Sequence, residues 1–425
     1  MPEHTNAVAA RGRFWRISAG GIFFQGGAAA VDSGTIIATL VQGLTGSVYA
    51  VGAATGILRF GWLFPQLFVA YFAQRRRKRM PFYMLGAFGR ATCLLILAGI
   101  LAGADQLSTT LVVSGFFIIW TVYAFVSGIV AVPYNDIVAR SVRSEHRSRL
   151  LAIRFFGGGL LALAVAALAH HLVNELAFPT SYAGIVFAGA CLLFASSVSF
   201  VSAGEPEAPM PSEPAGDFAL FLRHGVRVFR RDRRFRLFVY AQWLGGLVTM
   251  SLPFYILQVV AHRGDASQVG VLLGAQTAGA LLSNALWGWW GDTLGKRRLL
   301  EGVALLRAAP PMLMLAWTAL ITDAGAPSLP GYVAVFLLLG ALGTGITIAM
   351  LGYLMEISPD DQRPAYSGYF NAIVAPAALL PLAGAVVVQL TSLSGVFLVS
   401  MGAAFLQFAA VRRLREGAPT EGSDV

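Results

Sequence analysis

Charged residues are scarce in this sequence. Asp, Glu, Lys and Arg make up 12% of its 425 residues, whereas a typical soluble domain has about 25%. Hydrophobic residues make up 56%, and the mean hydropathy is +0.68. A water-soluble protein of this composition would have too little polar surface to cover itself. The composition therefore excludes a set of soluble domains and indicates a protein whose solvent is the lipid bilayer.

Features of several other protein classes are also missing. The two cysteines, Cys93 and Cys191, lie in apolar runs, which excludes a disulfide framework. The absence of a GxxxxGK[ST] loop argues against ATP-driven transport by this chain alone. No nucleophile–base arrangement suggests an enzyme, and the pair His170-His171 has no third ligand in view. We therefore expect neither an enzyme nor a metal or other cofactor.

Long apolar runs are abundant. A helix needs about 20 mostly apolar residues to cross the hydrocarbon core of a bilayer, and twelve runs meet this length. They lie near residues 17–41, 49–72, 81–103, 109–133, 150–173, 181–202, 237–260, 268–290, 299–321, 332–355, 367–390 and 395–411. The predicted fold is an all-α integral membrane protein. Six helices form a bundle in residues 1–202, a cytoplasmic linker covers 203–236, and six more form a second bundle, with a short tail, in 237–425.

The basic residues follow the loops of this topology. The net charge is +10, but the arginines gather in alternate segments between the runs, and the loops on the other side hold only Arg263. The positive-inside rule therefore predicts that both chain ends are cytoplasmic. A nucleic-acid surface is not expected. Arg far outnumbers Lys, and Ala and Gly are plentiful, which indicates a GC-rich bacterial genome and a bacterial inner membrane.

The linker combines apolar residues with many arginines. The apolar positions are Phe218, Phe221, Leu222, Val226 and Phe229. This pattern predicts an amphipathic helix lying on the anionic inner leaflet. A solvated basic linker is the alternative.

A loop motif and an internal repeat point to one family. Residues 288–298, GWWGDTLGKRR, resemble the loop signature of the major facilitator superfamily, which the family places after its second span and repeats after its eighth. The first copy is degraded here, because residues 69–74 lead into the basic tract without an acid. Arg90 in the third run and Arg307 in the ninth occupy similar places in the two halves, as expected for a repeat-built transporter.

The resemblance implies a mechanism. Two six-helix bundles are expected to rock about a central site lined mainly by the first, fourth, seventh and tenth spans. Asp292 is expected to cap a helix end or to pair with a basic residue when the inner side is closed. The proton-antiporter signature of the fifth span is missing, because residues 157–159 are glycines without a proline.

Charges at membrane depth mark candidate functional groups. Asp32 lies deep in the first run, and Arg59 lies at a comparable depth in the second. One hypothesis is that Asp32 binds a proton or a cationic group and that Arg59 sets its affinity. The alternative is a fixed structural pair.

Two further pairs are predicted to gate the cytoplasmic side. In this hypothesis Arg90 pairs with Asp136, and Arg307 pairs with Glu356. The alternative is that these arginines pair permanently with loop groups or lipid phosphate. Polar and aromatic residues on the expected cavity helices are the remaining candidates for solute contact, and packing between helices is the alternative for each: Gln25, Trp120, Tyr123, Gln242, Trp243, Tyr255, Thr344, Thr347, Tyr353 and Asn371. Pro253 is expected to break the seventh helix.

The function that these features favour is secondary-active transport of a small organic solute by alternating access, coupled to protons and carried out by a monomer. Efflux of lipophilic drugs is the first alternative, with Asp32 attracting cationic compounds. A receptor or assembly partner of the same fold, which binds without transporting, is the second.

Overall fold

The computed structural model describes residues 2–74, 76, 78–142, 144–206, 218–263, 267–321, 329–358 and 363–414. Within these ranges every regular element is helical. In the first half the helices are α1 (Pro2–Ala29), α2 (Ile36–Thr45), α3 (Val48–Gln74), α4 (Met80–Ala102), α5 (Thr109–Ser141), α6 (Ser144–Glu175) and α7 (Thr180–Ser202). The linker contains α8 (Phe218–Arg231).

The second half repeats this arrangement with more breaks. Its helices are α9 (Arg233–Thr249), α10 (Leu252–Arg263), α11 (Val269–Thr293), α12 (Lys296–Leu306), α13 (Ala309–Ile321), α14 (Leu329–Ile357), α15 (Arg363–Val374), α16 (Leu380–Leu390) and α17 (Leu393–Arg412). A 3-10 segment, Ala375–Leu379, joins α15 to α16. The predicted seventh, ninth and eleventh spans are thus each built from two helices.

Ten segments of the described chain are long and apolar enough to cross a membrane, and they match the predicted third to twelfth spans. The first two predicted spans are not among them. The first is interrupted after Ala29, and α3 carries Arg59 and Gln66. The all-helical membrane fold is confirmed, and the count of twelve spans stays a prediction.

The helices pack as two bundles. In the first, α1 packs on α6 and α7, α4 on α5 and α7, and α3 on α5. In the second, α11 packs on α14, α12 on α14 and α17, and α9 on α17. The bundles meet where α6 packs on α11 and α3 packs on α16.

The closest helix packing lies between α11 and α14, where glycines bring the two backbones into contact. A methyl group on Gly279 would clash with the Leu337 carbonyl, and one on Gly340 would clash with the Gln276 carbonyl. Small residues allow such close approach in membranes, where dispersion forces rather than hydrophobicity hold helices together.

The linker helix α8 lies beside both bundles. Phe218 packs on Tyr71 of α3, with ring centroids 5.0 Å apart. Gly225 lies against Tyr369 of α15, and Val228 is buried in the second bundle. The structure has a helix in the segment where the sequence predicted one. Its position on a leaflet stays a prediction. We call the side of the molecule that holds α8 the linker side, and the opposite side the far side.

An ionic cluster joins three helix ends of the first bundle on the linker side. Asp136 of α5 forms ion pairs with Arg79 and Arg140, and Arg140 also donates to Glu205 at 2.8 Å. The Glu205 carboxylate accepts from the backbone N–H groups of Arg79 and Met80 and so caps the start of α4. Glu205, which lies within the predicted linker of residues 203–236, is therefore part of the folded bundle.

This cluster corrects the prediction that Arg90 pairs with Asp136. Arg90 lies ten residues after Met80, or about 15 Å along α4 at 1.5 Å per residue. It is 4% exposed, and its guanidinium lies 4.7 Å from the centre of the Phe24 ring. Asp136 is too close to the linker-side end of the bundle to reach it. The second predicted pair is also absent: Arg307 lies in the cavity wall described below, and Glu356 is exposed, with no ion pair to any described residue.

Replacing Gly279 with Ala should destabilise the protein, because the added methyl group meets backbone that cannot move without separating α11 from α14. Overpacking of this kind costs about 1–3 kcal/mol. The matched control is Gly288→Ala on the same helix, where a methyl group meets no atom within 4 Å. Thermal unfolding in detergent should show a lower Tm for Gly279→Ala only. Equal Tm values for the two variants would contradict the close packing.

Replacing Glu205 with Gln should lower the Tm in a pH-dependent way. Burial raises the pKa of the Glu205 carboxyl, but hydrogen bonds from Arg140, Arg79 and Met80 outweigh burial and hold that pKa below its ordinary value of 4.5. A lowered pKa stabilises the folded state above pH 4.5, and the effect is lost as the pH falls through the folded-state pKa. The Tm difference from wild type should therefore be largest near neutral pH and shrink in acid. The exposed control Glu175→Gln should show no such trend.

Candidate functional site

A cavity of about 960 Å³ lies between the two bundles. Helices α1, α3 and α6 line it from the first bundle, and α9, α10, α11, α14 and α15 line it from the second. Its size is that of a small-molecule site, for which about 300–1,000 Å³ is typical. A site shared by both bundles changes shape when one bundle moves against the other.

The first predicted span is broken at the cavity, and Asp32 occupies the break. Its carboxylate accepts hydrogen bonds from the backbone N–H of Gly34 at 3.0 Å and from the Thr35 hydroxyl at 2.8 Å. Its own carbonyl accepts from the N–H of Ile37 at 3.0 Å. Irregular backbone at membrane depth is tolerated where it lines a cavity and its polar groups are satisfied. Asp32 therefore both stabilises the break and faces the cavity.

The seventh predicted span is broken at the equivalent place, as expected beside Pro253. Helix α9 ends at Thr249, and α10 begins at Leu252. Ser400 of α17 donates to the Val248 carbonyl at 2.8 Å, which satisfies backbone freed by the break. A Cβ on Gly34 would lie 3.2 Å from Leu252 Cγ. The two breaks therefore touch at the far-side end of the cavity.

Further contacts close the far side. His170 of α6 donates from Nδ1–H to the Ser267 carbonyl oxygen at 2.9 Å. Gly52 of α3 lies against the Pro381 carbonyl of α16. From these contacts the cavity wall extends toward the linker side as far as Phe155 and Met350.

Arg59 lines the cavity from α3. Among the described residues it forms no hydrogen bond and no ion pair, and no nitrogen–oxygen distance to Asp32 is 4.0 Å or less. The structure thus brings Asp32 and Arg59 to one cavity without joining them in a fixed pair. The guanidinium of Arg59 is left facing the cavity with its donors free.

Arg307 lines the opposite wall, at the break between α12 and α13. Its side chain is 7% exposed, and Nη1 donates to Gln407 Oε1 at 2.7 Å. Nη2 donates to the Gly245 carbonyl at 3.1 Å. Both acceptors are neutral, so they orient the guanidinium without cancelling its charge. Gln407, the one amide side chain of α17, is a partner that the sequence pattern did not single out.

Several predicted contact residues do line the cavity. They are Gln25, Gln242, Tyr255, Thr344, Thr347 and Asn371. Asn371 of α15 also donates to Gln66 of α3 at 3.3 Å, a link between the bundles.

Four other predicted contact residues pack elsewhere. Trp120 is fully buried, donates its indole N–H to the Ala54 carbonyl at 2.8 Å, and stacks on Tyr123. Trp243 donates to the Ile373 carbonyl at 3.2 Å, and Tyr353 packs on Phe238 in the second bundle. These aromatic residues join helices and do not border the cavity.

Asp292 of the loop motif lies on the linker side. Its side chain is 78% exposed and pairs with Lys296, one helical turn away, at 2.8 Å. The family resemblance led us to expect a pairing with a basic residue when the inner side is closed, and this local pair within one helical turn does not test that expectation. A gating role for Asp292 stays a prediction.

Two family models match this chain. The one described as "MFS/sugar transport protein" matches residues 40–309, more than half of the chain. The one described as "Major Facilitator Superfamily" matches residues 250–424.

Three mycobacterial proteins described as uncharacterized match part of this chain. Uncharacterized proteins of Mycobacterium tuberculosis and Mycobacterium bovis are each 24% identical over 318 residues, which is 72% of this chain and 59% of the relative. The matched part thus spans less than two thirds of these relatives.

Solved structures share the fold along nearly the whole chain. A mutant of the nucleoside transporter NupG has a TM-score of 0.73 at 12% identity, covering 95% of this chain and 99% of that one. An auto-inhibited POT family peptide transporter has a TM-score of 0.71 at 12% identity, covering 97% and 99%. The human organic anion transporter MFSD10 has a TM-score of 0.64 at 16% identity, covering 95% and 99%. With its helical membrane fold, its central cavity and the family match over residues 40–309, this chain belongs to the major facilitator superfamily of transporters.

Proposed function

We propose that this protein moves a small organic solute across the membrane by alternating access, and that Asp32 couples this movement to protons. The observation that carries the proposal is the cavity between the bundles, in which Asp32 is the one acid among the described residues of the wall. The linker side would be cytoplasmic, in a bacterial inner membrane, and the monomer would be the working unit.

The geometry of the closed side supports alternating access. The two helix breaks touch through Gly34 and Leu252, on opposite bundles. Separating these bundles on the far side would open the cavity there without unfolding a helix, because both breaks are already stabilised by their own hydrogen bonds. The conformation described here would be the one that opens toward the linker side.

The surroundings of Asp32 support a role in proton movement. The other charged or titratable side chains in the cavity wall are Arg59, Arg307 and Tyr255. The Asp32 carboxylate accepts hydrogen bonds from the Thr35 hydroxyl and the Gly34 backbone N–H, and both donors stabilise its ionised form. Water in the cavity and the nearby positive charge of Arg59 both stabilise ionised Asp32. A change in hydration or in the distance to Arg59 would therefore change the free energy of ionising Asp32. Opening to opposite sides would supply such a change.

Replacing Asp32 with Asn should abolish solute-driven proton movement. Proteoliposomes with a trapped pH-sensitive dye would be exposed to a panel of unlabelled carboxylates, sugars, amino acids, nucleosides and lipophilic amines. Wild type should give an internal pH change with at least one solute class, and Asp32→Asn should not. The control Asp105→Asn removes an exposed acid outside the cavity and should behave as wild type. An Asp32→Asn signal equal to that of wild type would refute coupling through Asp32.

A disulfide between the two breaks should stop transport reversibly. In a background with Cys93 and Cys191 replaced by Ala, Gly34→Cys and Leu252→Cys would place two thiols within bridging distance. Oxidation should abolish the proton signal of the double variant, and a reductant should restore it. Each single variant should be indifferent to oxidation. Full activity in the oxidised double variant would show that the far side need not open.

A further inference from the structure

The cavity wall carries more positive than negative charge. Arg59 and Arg307 contribute two cations, and Asp32 contributes one anion, so the wall has an excess of one positive charge when Asp32 is ionised. The remaining polar groups of the wall are neutral. Buried charges require compensation, because removing a charge from water without a partner is costly. The excess charge is therefore a feature that a ligand can satisfy.

Arg59 is the group most in need of a partner. It faces the cavity and forms no hydrogen bond or ion pair with any described residue. A guanidinium presents a planar fork of N–H donors that matches a carboxylate or phosphate in two-point contact. Asp32 does not occupy this fork: its Oδ1 accepts from Gly34 and Thr35, and neither of its oxygens lies within 4.0 Å of an Arg59 nitrogen.

Arg307 is prepared for a ligand in a different way. Gln407 and the Gly245 carbonyl hold its guanidinium in one orientation, so little side-chain entropy remains to be lost on binding. Neither partner is charged. The positive charge of Arg307 is therefore held in the cavity wall, on the bundle opposite Arg59, with no acid beside it in the described part of the chain.

The rest of the wall selects the body of the ligand. Trp62, Leu63, Phe155 and Leu281 line it, with small residues between them. Such a wall favours an apolar or aromatic body, because burial of apolar surface stabilises the complex by about 25 cal/mol per Å². The wall also holds neutral amides, among them Gln242, Gln276 and Asn284, which can form hydrogen bonds with polar groups of the ligand.

We infer that the solute is an organic monoanion with an apolar body, whose acid group binds between Arg59 and Arg307. This rests on the proposed transport function and names its solute class. The anion supplies the negative charge that the wall lacks, and it bridges the two bundles. A lipophilic cation, by contrast, would meet two arginines and one acid.

The same arrangement sets the direction of coupling. Ionised Asp32 repels a bound anion and attracts Arg59, so its protonation strengthens anion binding at Arg59 and Arg307. By linkage, a bound anion must favour proton binding at Asp32 to the same extent. Tyr255 and the two arginines, the other titratable groups of the wall, keep their charge state between pH 5 and 8. Anion and proton are therefore expected to cross together.

The test uses matched probes that differ in charge alone. Protein purified in an uncharged detergent is titrated with 4-phenylbutyrate, 4-phenylbutyramide and 4-phenylbutylamine, and with the same three head groups on naphthyl and hexyl bodies. Thermal shift gives an apparent Kd for each probe. At least one carboxylate should bind about tenfold or more tightly than its amide and its amine. That carboxylate should bind more tightly at pH 5.5 than at pH 7.5, and Asp32→Asn should remove the difference.

Variants assign the effect to the two arginines. Arg59→Gln and Arg307→Gln should each weaken the carboxylate about tenfold or more, which is the typical loss for a hydrogen bond to a charged group. Arg59→Lys retains the charge and should restore part of the affinity. Arg11→Gln removes an exposed arginine outside the cavity and should bind as wild type. The Tm of each variant without probe reports whether it is folded.

The outcomes separate the solute class from transport. Binding of an amide or amine, with no carboxylate preferred, would overturn the monoanion and leave the transport proposal standing. A carboxylate that binds the Arg59→Gln variant and the wild-type protein equally would have the same consequence. If no probe of any charge binds and the trapped-dye assay is also silent, both proposals fail.

Discussion

This structure depends on one constraint: inside a membrane, charged side chains and unpaired backbone N–H and C=O groups need partners. Hydrocarbon offers no hydrogen bonds, so each interruption of a helix and each ionised side chain requires a partner from the protein or from a ligand. The break in the first span is stabilised by the Asp32 carboxylate, and the break in the seventh by Ser400. Arg307 at the third break is held by Gln407. These partners allow irregular backbone to exist beside the cavity.

Arg59 differs from these groups. It lies in the cavity wall on α3 and forms no hydrogen bond and no ion pair within 4.0 Å with any described residue, so Asp32 attracts it only at longer range. On the linker side, by contrast, Arg79 and Arg140 are compensated by Asp136 and Glu205 within one bundle. Arginines that lie beside acids, such as Arg79 and Arg140, stabilise the bundle through ion pairs. An arginine without such a neighbour, such as Arg59, is available to bind a ligand.

Hydropathy predicted where most helices lie, because a membrane span must be mostly apolar. It did not predict the interruptions after Ala29, Leu306 and Val374. It also placed Asp32 and Arg59 at similar depth, and both line the cavity. Depth alone does not specify which face of a helix a residue occupies. For that reason Trp120 and Tyr353, although on expected cavity helices, proved to pack between helices instead.

Ion pairs were harder to predict than spans, for a related reason. Whether two side chains pair depends on how each helix is rotated and on how far each side chain reaches. The positions of Arg90 and Asp136 in the sequence do not determine either of these. Glu205 joined the cluster because α7 returns it to the start of α4, 125 residues earlier in the chain at Met80. Gln407 was not singled out, although a single amide in an apolar span is a signal that a buried partner lies opposite.

The most direct test of alternating access is the sidedness of a single cysteine in the cavity wall. Asn284→Cys, in a background without Cys93 and Cys191, would be exposed to a membrane-impermeant thiol reagent applied to one side of oriented vesicles at a time. The account predicts labelling from both sides, with labelling from the far side lost when the Gly34→Cys and Leu252→Cys disulfide is formed. Labelling from one side only, unchanged by that disulfide, would contradict it.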